Sequence, residues 1–105
     1  MTERDFKIAE ELKRRLSNAV DVVAFKVFGS RARGDSDEYS DMDVFVEVET
    51  INRSAKERIL DIAWEVGFEN SMVISVLIFT RDEIENSPLR SSFIVRNIAE
   101  EGVAL

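Results

Sequence analysis

Apolar residues near the start of the chain recur at the spacing of one helix face. They fall three to four residues apart, with basic side chains on the other side, and predict an amphipathic helix over about Asp5–Leu16. β-Branched and aromatic residues from Val20 to Phe28 predict a buried strand that runs into Gly29. Residues 29–40 follow no period. Alternation returns over Asp41–Val48 and predicts a second strand.

Helix and strand signals alternate again in the second half of the chain. Ser54 and Glu57 form a capping box that predicts the start of a helix, on which we expect Trp64 to pack in the core. Met72–Phe79 is apolar nearly throughout and predicts a third strand covered on both faces. Later helix signals are a capping box at Thr80 and Glu83, a break at Pro88 and a last helix over about Leu89–Glu101.

The predicted order of elements is helix, strand, loop, strand, helix, strand, helix, in a single domain over residues 1–105. We expect an α/β (α+β) fold, in which a small mixed sheet has helices packed on one face. The segment 29–40 is long for a loop in so small a domain, and long loops in compact domains often carry function.

The charge balance restricts the kinds of partner. Fourteen Lys and Arg against 21 Asp and Glu give a formal net charge of −7 at pH 7. A protein that binds nucleic acid through its phosphates normally carries the opposite sign, which argues against nonspecific nucleic-acid binding. The sequence also has no signal-peptide pattern and no apolar run long enough to cross a bilayer, so we expect no membrane association and a cytoplasmic location.

Cysteine and histidine are both absent from the chain. Their absence excludes a disulfide, a thiol nucleophile and a Cys/His zinc site. The side chains left for metal binding are oxygen ligands, which favour a hard ion such as Mg²⁺.

The segment Gly29–Gly34, with the sequence GSRARG, has chemistry suited to phosphate. A strand that ends in Gly-Ser can turn sharply and expose backbone N–H groups, and the Ser30 hydroxyl can join them in binding phosphate oxygens. Arg31 and Arg33 add two guanidinium groups, which match phosphate geometry. The same residues also fit an ordinary loop that uses glycine for its turns and arginine for solubility. The loop alone does not decide between these interpretations.

Asp41 and Asp43 are candidate metal ligands at the start of the second strand. Because side chains alternate along a strand, the two carboxylates are expected on one face, about 7 Å apart. Two carboxylates beside a phosphate-binding loop are what Mg²⁺-assisted phosphoryl or nucleotidyl transfer needs. The nearby acids Asp35, Asp37 and Glu38 are expected to lie in a solvated loop.

The combination G-S-x-A-R-G followed by S-D-x-D, in a strand–loop–strand setting, resembles the nucleotidyltransferase superfamily related to DNA polymerase beta. The short length is similar to the minimal, MNT-type branch, whose members are often encoded beside a helical HEPN-type partner as toxin–antitoxin pairs. The resemblance covers nearly the whole chain, because the closing segment Ile98–Val103 is also similar to the tail of that group.

The resemblance implies a role for six residues. Asp41 and Asp43 would bind two Mg²⁺ ions, while an acceptor hydroxyl attacks the α-phosphate in line and releases pyrophosphate. In the better-studied minimal members the product is an adenylylated tyrosine on the HEPN-type toxin. The phosphates of a nucleoside triphosphate, ATP or another, would be held by Gly29, Ser30, Arg31 and Arg33.

The sequence departs from this superfamily at the third carboxylate, which usually comes from a later strand and acts as general base. Met72–Phe79 contains no acid, and Ser75 stands near the expected position. A serine cannot take a proton at neutral pH. Glu47 shares the face of Asp41 and Asp43 and could substitute only if the sheet brings it near. Two functions therefore stay open: a Mg²⁺-dependent nucleotidyltransferase, and a catalytically impaired nucleotide-binding module that binds and neutralises a helical HEPN-type partner.

Overall fold

The computed structural model describes residues 1–105 and contains four strands and five α-helices. In chain order the elements are α1 (Glu3–Ala19), β1 (Val22–Phe28), α2 (Gly29–Arg33), β2 (Met42–Val48), α3 (Arg53–Glu69), β3 (Ile74–Thr80), α4 (Arg81–Asn86), a 3₁₀ turn (Pro88–Ser91), α5 (Phe93–Glu101) and β4 (Val103–Ala104).

Both long helices begin earlier than predicted because of their caps. The Thr2 hydroxyl accepts a hydrogen bond from the Asp5 amide at 3.0 Å, and the Asp5 carboxylate accepts one from the Thr2 amide at 3.1 Å. This reciprocal capping box starts α1. In α3 the side chain of Asn52 accepts from the Ala55 amide at 2.8 Å, so the predicted cap at Ser54 is wrong. Asparagine is among the strongest N-cap residues.

The four strands form one mixed sheet in the order β3-β2-β1-β4. β1 is antiparallel to β2 and β4, whereas β2 and β3 are parallel and connected through α3. The α+β fold with a small mixed sheet is therefore confirmed. Because β1 and β2 are antiparallel, the end of β1 meets the start of β2, and Phe28 pairs with Asp43.

The core lies between α1, α3 and one face of the sheet. Alternate residues of β2 point to this face and are buried, while Asp43 and Glu47 point to the other face and are half-exposed. Each fully buried aliphatic side chain contributes about 1.5–3 kcal/mol. The core cluster contains 13 buried residues: Ile8, Ala9, Leu12, Leu16, Phe25, Val27, Met42, Val44, Val46, Val48, Ile59, Ala63 and Val66.

Two predictions of burial are wrong. β3 is an edge strand that pairs only with β2, and none of its residues is buried, so it is not covered on both faces. Trp64 is 68% exposed and stacks on Phe68 with ring centroids 5.2 Å apart, outside the core. The inner face of α3 is occupied instead by smaller side chains, among them Ile59 and Ala63. No helix has the length and apolar character needed to cross a membrane.

Candidate active site

The turn from β1 into α2 lies directly against Asp43. Gly29 has φ +73°, a left-handed backbone conformation that glycine adopts without steric cost. A Cβ atom at this position would overlap the Oδ2 atom of Asp43. Glycine is therefore required twice, for the backbone angle and for the close approach of the carboxylate. The phosphate-binding turn and the carboxylate predicted from the sequence are adjacent.

The first residues of the segment 29–40 form a short helix, although the sequence pattern predicts an irregular loop. The helix ends at Gly34, whose φ of +84° is again left-handed. The amides of Gly34 and Asp35 both donate to the carbonyl of Ser30, at 3.0 and 3.1 Å. This single turn places Gly29 and Ser30 at its start, next to β2.

The guanidinium of Arg31 turns into the domain rather than toward the predicted phosphate site. Arg31 is 4% exposed and its Nη1 pairs with the carboxylate of Asp5, which is 1% exposed, at 2.8 Å. Its Nε and Nη2 donate to the carbonyl of Ser40 at 3.1 and 2.7 Å, and Nη2 donates to that of Asp37 at 3.3 Å. The predicted phosphate contact of Arg31 is replaced by a structural role, which fixes the residue before Asp41.

Sequence reasoning missed Asp5 as part of this arrangement. A buried ion pair is tolerated when its remaining donors and acceptors also form hydrogen bonds. Here Asp5 also accepts a hydrogen bond from the Thr2 amide, and Arg31 donates to the Ser40 carbonyl. The available signal was the Thr2-x-x-Asp5 pattern, which indicates a helix cap. The partner of Asp5, Arg31, is 26 residues away and has no local signature.

The two predicted metal ligands lie at the end of the sheet where β2 begins. Asp41 is exposed and precedes β2, whereas Asp43 is half-exposed on its second residue. Burial raises the pKa of Asp43, the charge of Asp41 raises it further, and the charge of Arg33 opposes both. A group whose charged form is disfavoured in this way gains from a nearby cation. The donor set therefore suits a hard divalent ion.

Arg33 carries the positive charge that lowers the pKa of Asp43. Its guanidinium pairs with the carboxylates of Asp35 at 3.2 Å and Glu101 at 3.4 Å. The hydrogen bonds that Arg33 donates to these two carboxylates raise its pKa, with the bond to Asp35 contributing most. The side chain is 45% exposed, which leaves it accessible at the rim of the site. Its contact with phosphate stays a prediction.

The position opposite Asp43 on β3 is occupied by Ser75, which is exposed. This register supports the sequence interpretation that Ser75 stands where a third carboxylate would be expected. Glu47 lies opposite Phe79, four residues along β2 and about 13 Å from Asp43 at 3.3 Å per residue. It therefore cannot substitute. No group of three or more Asp or Glu side chains is close enough to hold a metal ion.

Comparison with known proteins identifies the family of this domain. A family model described as "Nucleotidyltransferase domain" matches residues 7–105. The chain therefore belongs to the nucleotidyltransferase family.

Individual relatives extend this result. A protein of Methanocaldococcus jannaschii, provisionally named a protein adenylyltransferase, is 33% identical in an alignment 90 residues long. The alignment covers 76% of this chain and 91% of the relative. A crystal structure described as a toxin–antitoxin with AMP-PNP has a TM-score of 0.61 at 18% identity, covering 90% of this chain and 70% of the other. A Shewanella oneidensis complex of a tri-AMPylated HEPN toxin with an MNT antitoxin has a TM-score of 0.50 at 16% identity, covering 90% and 63%. The resemblance to minimal nucleotidyltransferases is confirmed.

Proposed function

We propose that the protein is a Mg²⁺-dependent adenylyltransferase that moves AMP from ATP to a hydroxyl group of a protein or small molecule. The observation that carries this proposal is the contact between Gly29 and Asp43, because it joins a phosphate-binding turn to a candidate catalytic carboxylate. The name of the M. jannaschii relative supports adenylyl transfer, and the AMP-PNP in a neighbouring structure supports a nucleoside triphosphate as substrate.

The roles of the residues follow from their chemistry. Asp41 and Asp43 would hold Mg²⁺, which when bound neutralises charge on the triphosphate. The backbone amides of Gly29 and Ser30 and the hydroxyl of Ser30 bind phosphate oxygens. Arg33 contributes an exposed guanidinium that binds and orients the departing phosphates. All five residues lie at or beside the joined ends of β1 and β2.

In the proposed reaction the acceptor oxygen bonds to the α-phosphorus, and the bond to the bridging oxygen of pyrophosphate breaks. The acceptor proton must be released, yet the residue opposite Asp43 is Ser75, which cannot accept it at neutral pH. General-base assistance is worth about 10²- to 10⁴-fold, so transfer should be slow. Positioning and charge neutralisation supply most of the catalysis in such reactions, and the residues for both are present.

The same serine favours a second candidate function. A domain that binds ATP but transfers AMP poorly would act as a nucleotide-binding module, neutralising a helical HEPN-type partner by binding it. The S. oneidensis complex of an MNT antitoxin with a HEPN toxin supports such a partner. In that case the protein is the antitoxin of the pair, and its effect requires a stable complex rather than turnover.

The test is transfer of label from α-³²P-ATP, with Mg²⁺, to a HEPN-type protein encoded beside this one. We expect the native protein to label the partner and Asp43→Asn to lower the labelling rate by about 10²- to 10³-fold, because electrostatic stabilisation of the transferred phosphate is lost. Glu38→Gln is the matched control, since Glu38 is an exposed acid in the loop that precedes β2. Binding of ATP and partner without transfer would support the second function, whereas absence of ATP binding would contradict both.

A further inference from the structure

A hollow of about 260 Å³ lies between α2 and α5, and we call it the α5 hollow. Gly29 and Arg33 form part of its wall, so it is continuous with the predicted phosphate-binding turn. Its volume is below the roughly 300–1,000 Å³ of pockets that take whole drug-sized ligands. It can therefore accommodate one ring system attached to a group that extends out along Gly29.

The apolar part of the α5 hollow consists of Phe28, Phe93 and Ile94. Phe93 is 81% exposed at the start of α5, although α5 buries Ile98. A flat apolar group bound there would bury Phe93 and Ile94 and gain hydrophobic free energy. Aromatic side chains stack on the faces of nucleobases with little dependence on sequence.

The polar part of the α5 hollow can distinguish one base from another. Asn97 follows Phe93 by one helical turn, so both side chains lie on the same face of α5. The Oδ1 of an asparagine amide can accept a hydrogen bond from the N6 amino group of adenine, while its Nδ2 donates one to N7. Glu101 and Arg33, which pair at 3.4 Å, complete the polar lining of the hollow.

We propose that the α5 hollow binds the adenine ring of ATP, with Phe93 stacking on its face and Asn97 reading its edge. This inference rests on the proposed function, since the triphosphate of the same molecule occupies the turn at Gly29. It assigns the choice of nucleotide to α5, an element that the two sequence motifs do not include.

The experiment compares three probes by titration calorimetry in the presence of Mg²⁺: ATP, GTP and inorganic tripolyphosphate. We expect Phe93→Ala to weaken ATP binding by roughly 5- to 150-fold and to leave tripolyphosphate binding unchanged. Asn97→Ala is expected to lower the preference for ATP over GTP by about 2- to 12-fold, the value of one hydrogen bond. Phe68→Ala, another exposed phenylalanine but on α3, is the control and should change neither.

The outcomes separate this inference from the function on which it rests. Equal affinity of the native protein for tripolyphosphate and ATP would overturn the base site and leave the phosphate site intact. Equal weakening of both probes by Phe93→Ala would also overturn it, because the effect would then act through Arg33 or Gly29. If Phe93→Ala behaves like Phe68→Ala, the ring does not stack. Failure of native protein to bind any probe would reject the proposed function as well.

Discussion

Gly29 and Gly34 provide a matched pair of substitutions that isolates the contact with Asp43. Both have positive φ angles, +73° and +84°, so alanine at either position is strained by about 1–2 kcal/mol. A Cβ at Gly34 would meet nothing within 4 Å, whereas at Gly29 it would overlap Oδ2 of Asp43. Displacing that carboxylate from its rotamer adds about 0.5–1.5 kcal/mol.

We therefore expect Gly29→Ala to lower the free energy of unfolding by about 1.5–3.5 kcal/mol and Gly34→Ala by about 1–2 kcal/mol. The larger difference is expected in binding, since only Gly29→Ala moves Asp43. Urea denaturation followed by circular dichroism measures the first quantity, and calorimetry with Mg²⁺ and ATP measures the second. Equal losses of stability and equal affinities in the two variants would refute the argument that this contact builds the site.

Three further predictions concern the charged groups and Ser75. Asp5→Ala should cost about 3–5 kcal/mol in urea denaturation because it leaves the charge of Arg31 buried and unpaired, and adding Arg31→Met should restore much of that loss. Ser75→Asp should raise adenylyl transfer by about 10²- to 10⁴-fold and lower the melting temperature without Mg²⁺, since it adds a third negative charge. Asp43→Asn should stabilise the metal-free protein at pH 7, and this gain should disappear as the pH falls toward the ordinary pKa of aspartic acid.

The sign of the last effect follows from the raised pKa of Asp43. Between its unfolded and folded pKa values the folded state binds more protons, so Asp43 lowers stability as the pH rises through that window. If the stability of Asp43→Asn has the same pH profile as that of the native protein, the pKa of Asp43 is not raised in the folded state.

For Ser75→Asp, equal transfer by native protein and variant would show that another group accepts the proton. For Asp5, a loss below about 1 kcal/mol would mean that the pair is solvated.

Local sequence patterns were sufficient for β1, β2 and β3 and for the two motifs where β1 ends and β2 begins, but not for β4. Alternation along β2 places Met42 on the buried face and Asp43 on the other, and Gly29 and Gly34 indicate the turn. The adjacency of the turn and the carboxylate could therefore be predicted. The parallel register of β2 and β3 could not be derived from alternation, but the superfamily pattern pointed to Ser75.

Features that depend on distant partners could not be predicted in this way. Arg31 carries the same signal whether it faces a phosphate or a buried acid, and its partner Asp5 lies on another element. An apolar run cannot reveal that β3 is an edge strand, because that depends on the order of all four strands. Trp64 likewise has a helical spacing compatible with burial, yet α3 turns it outward.

The pair of Asp5 and Arg31 also affects how the domain moves. The first turn of a helix normally opens and closes at little cost in free energy. Here such an opening would separate the Asp5 carboxylate from Arg31 and weaken the hydrogen bond from Arg31 to the Ser40 carbonyl. The first turn of α1 and the loop before Asp41 should therefore open together. Hydrogen exchange should then show one shared protection for the amides of both segments. The order of that loop is thereby coupled to the start of α1 through Arg31, which is 26 residues from Asp5 in the sequence.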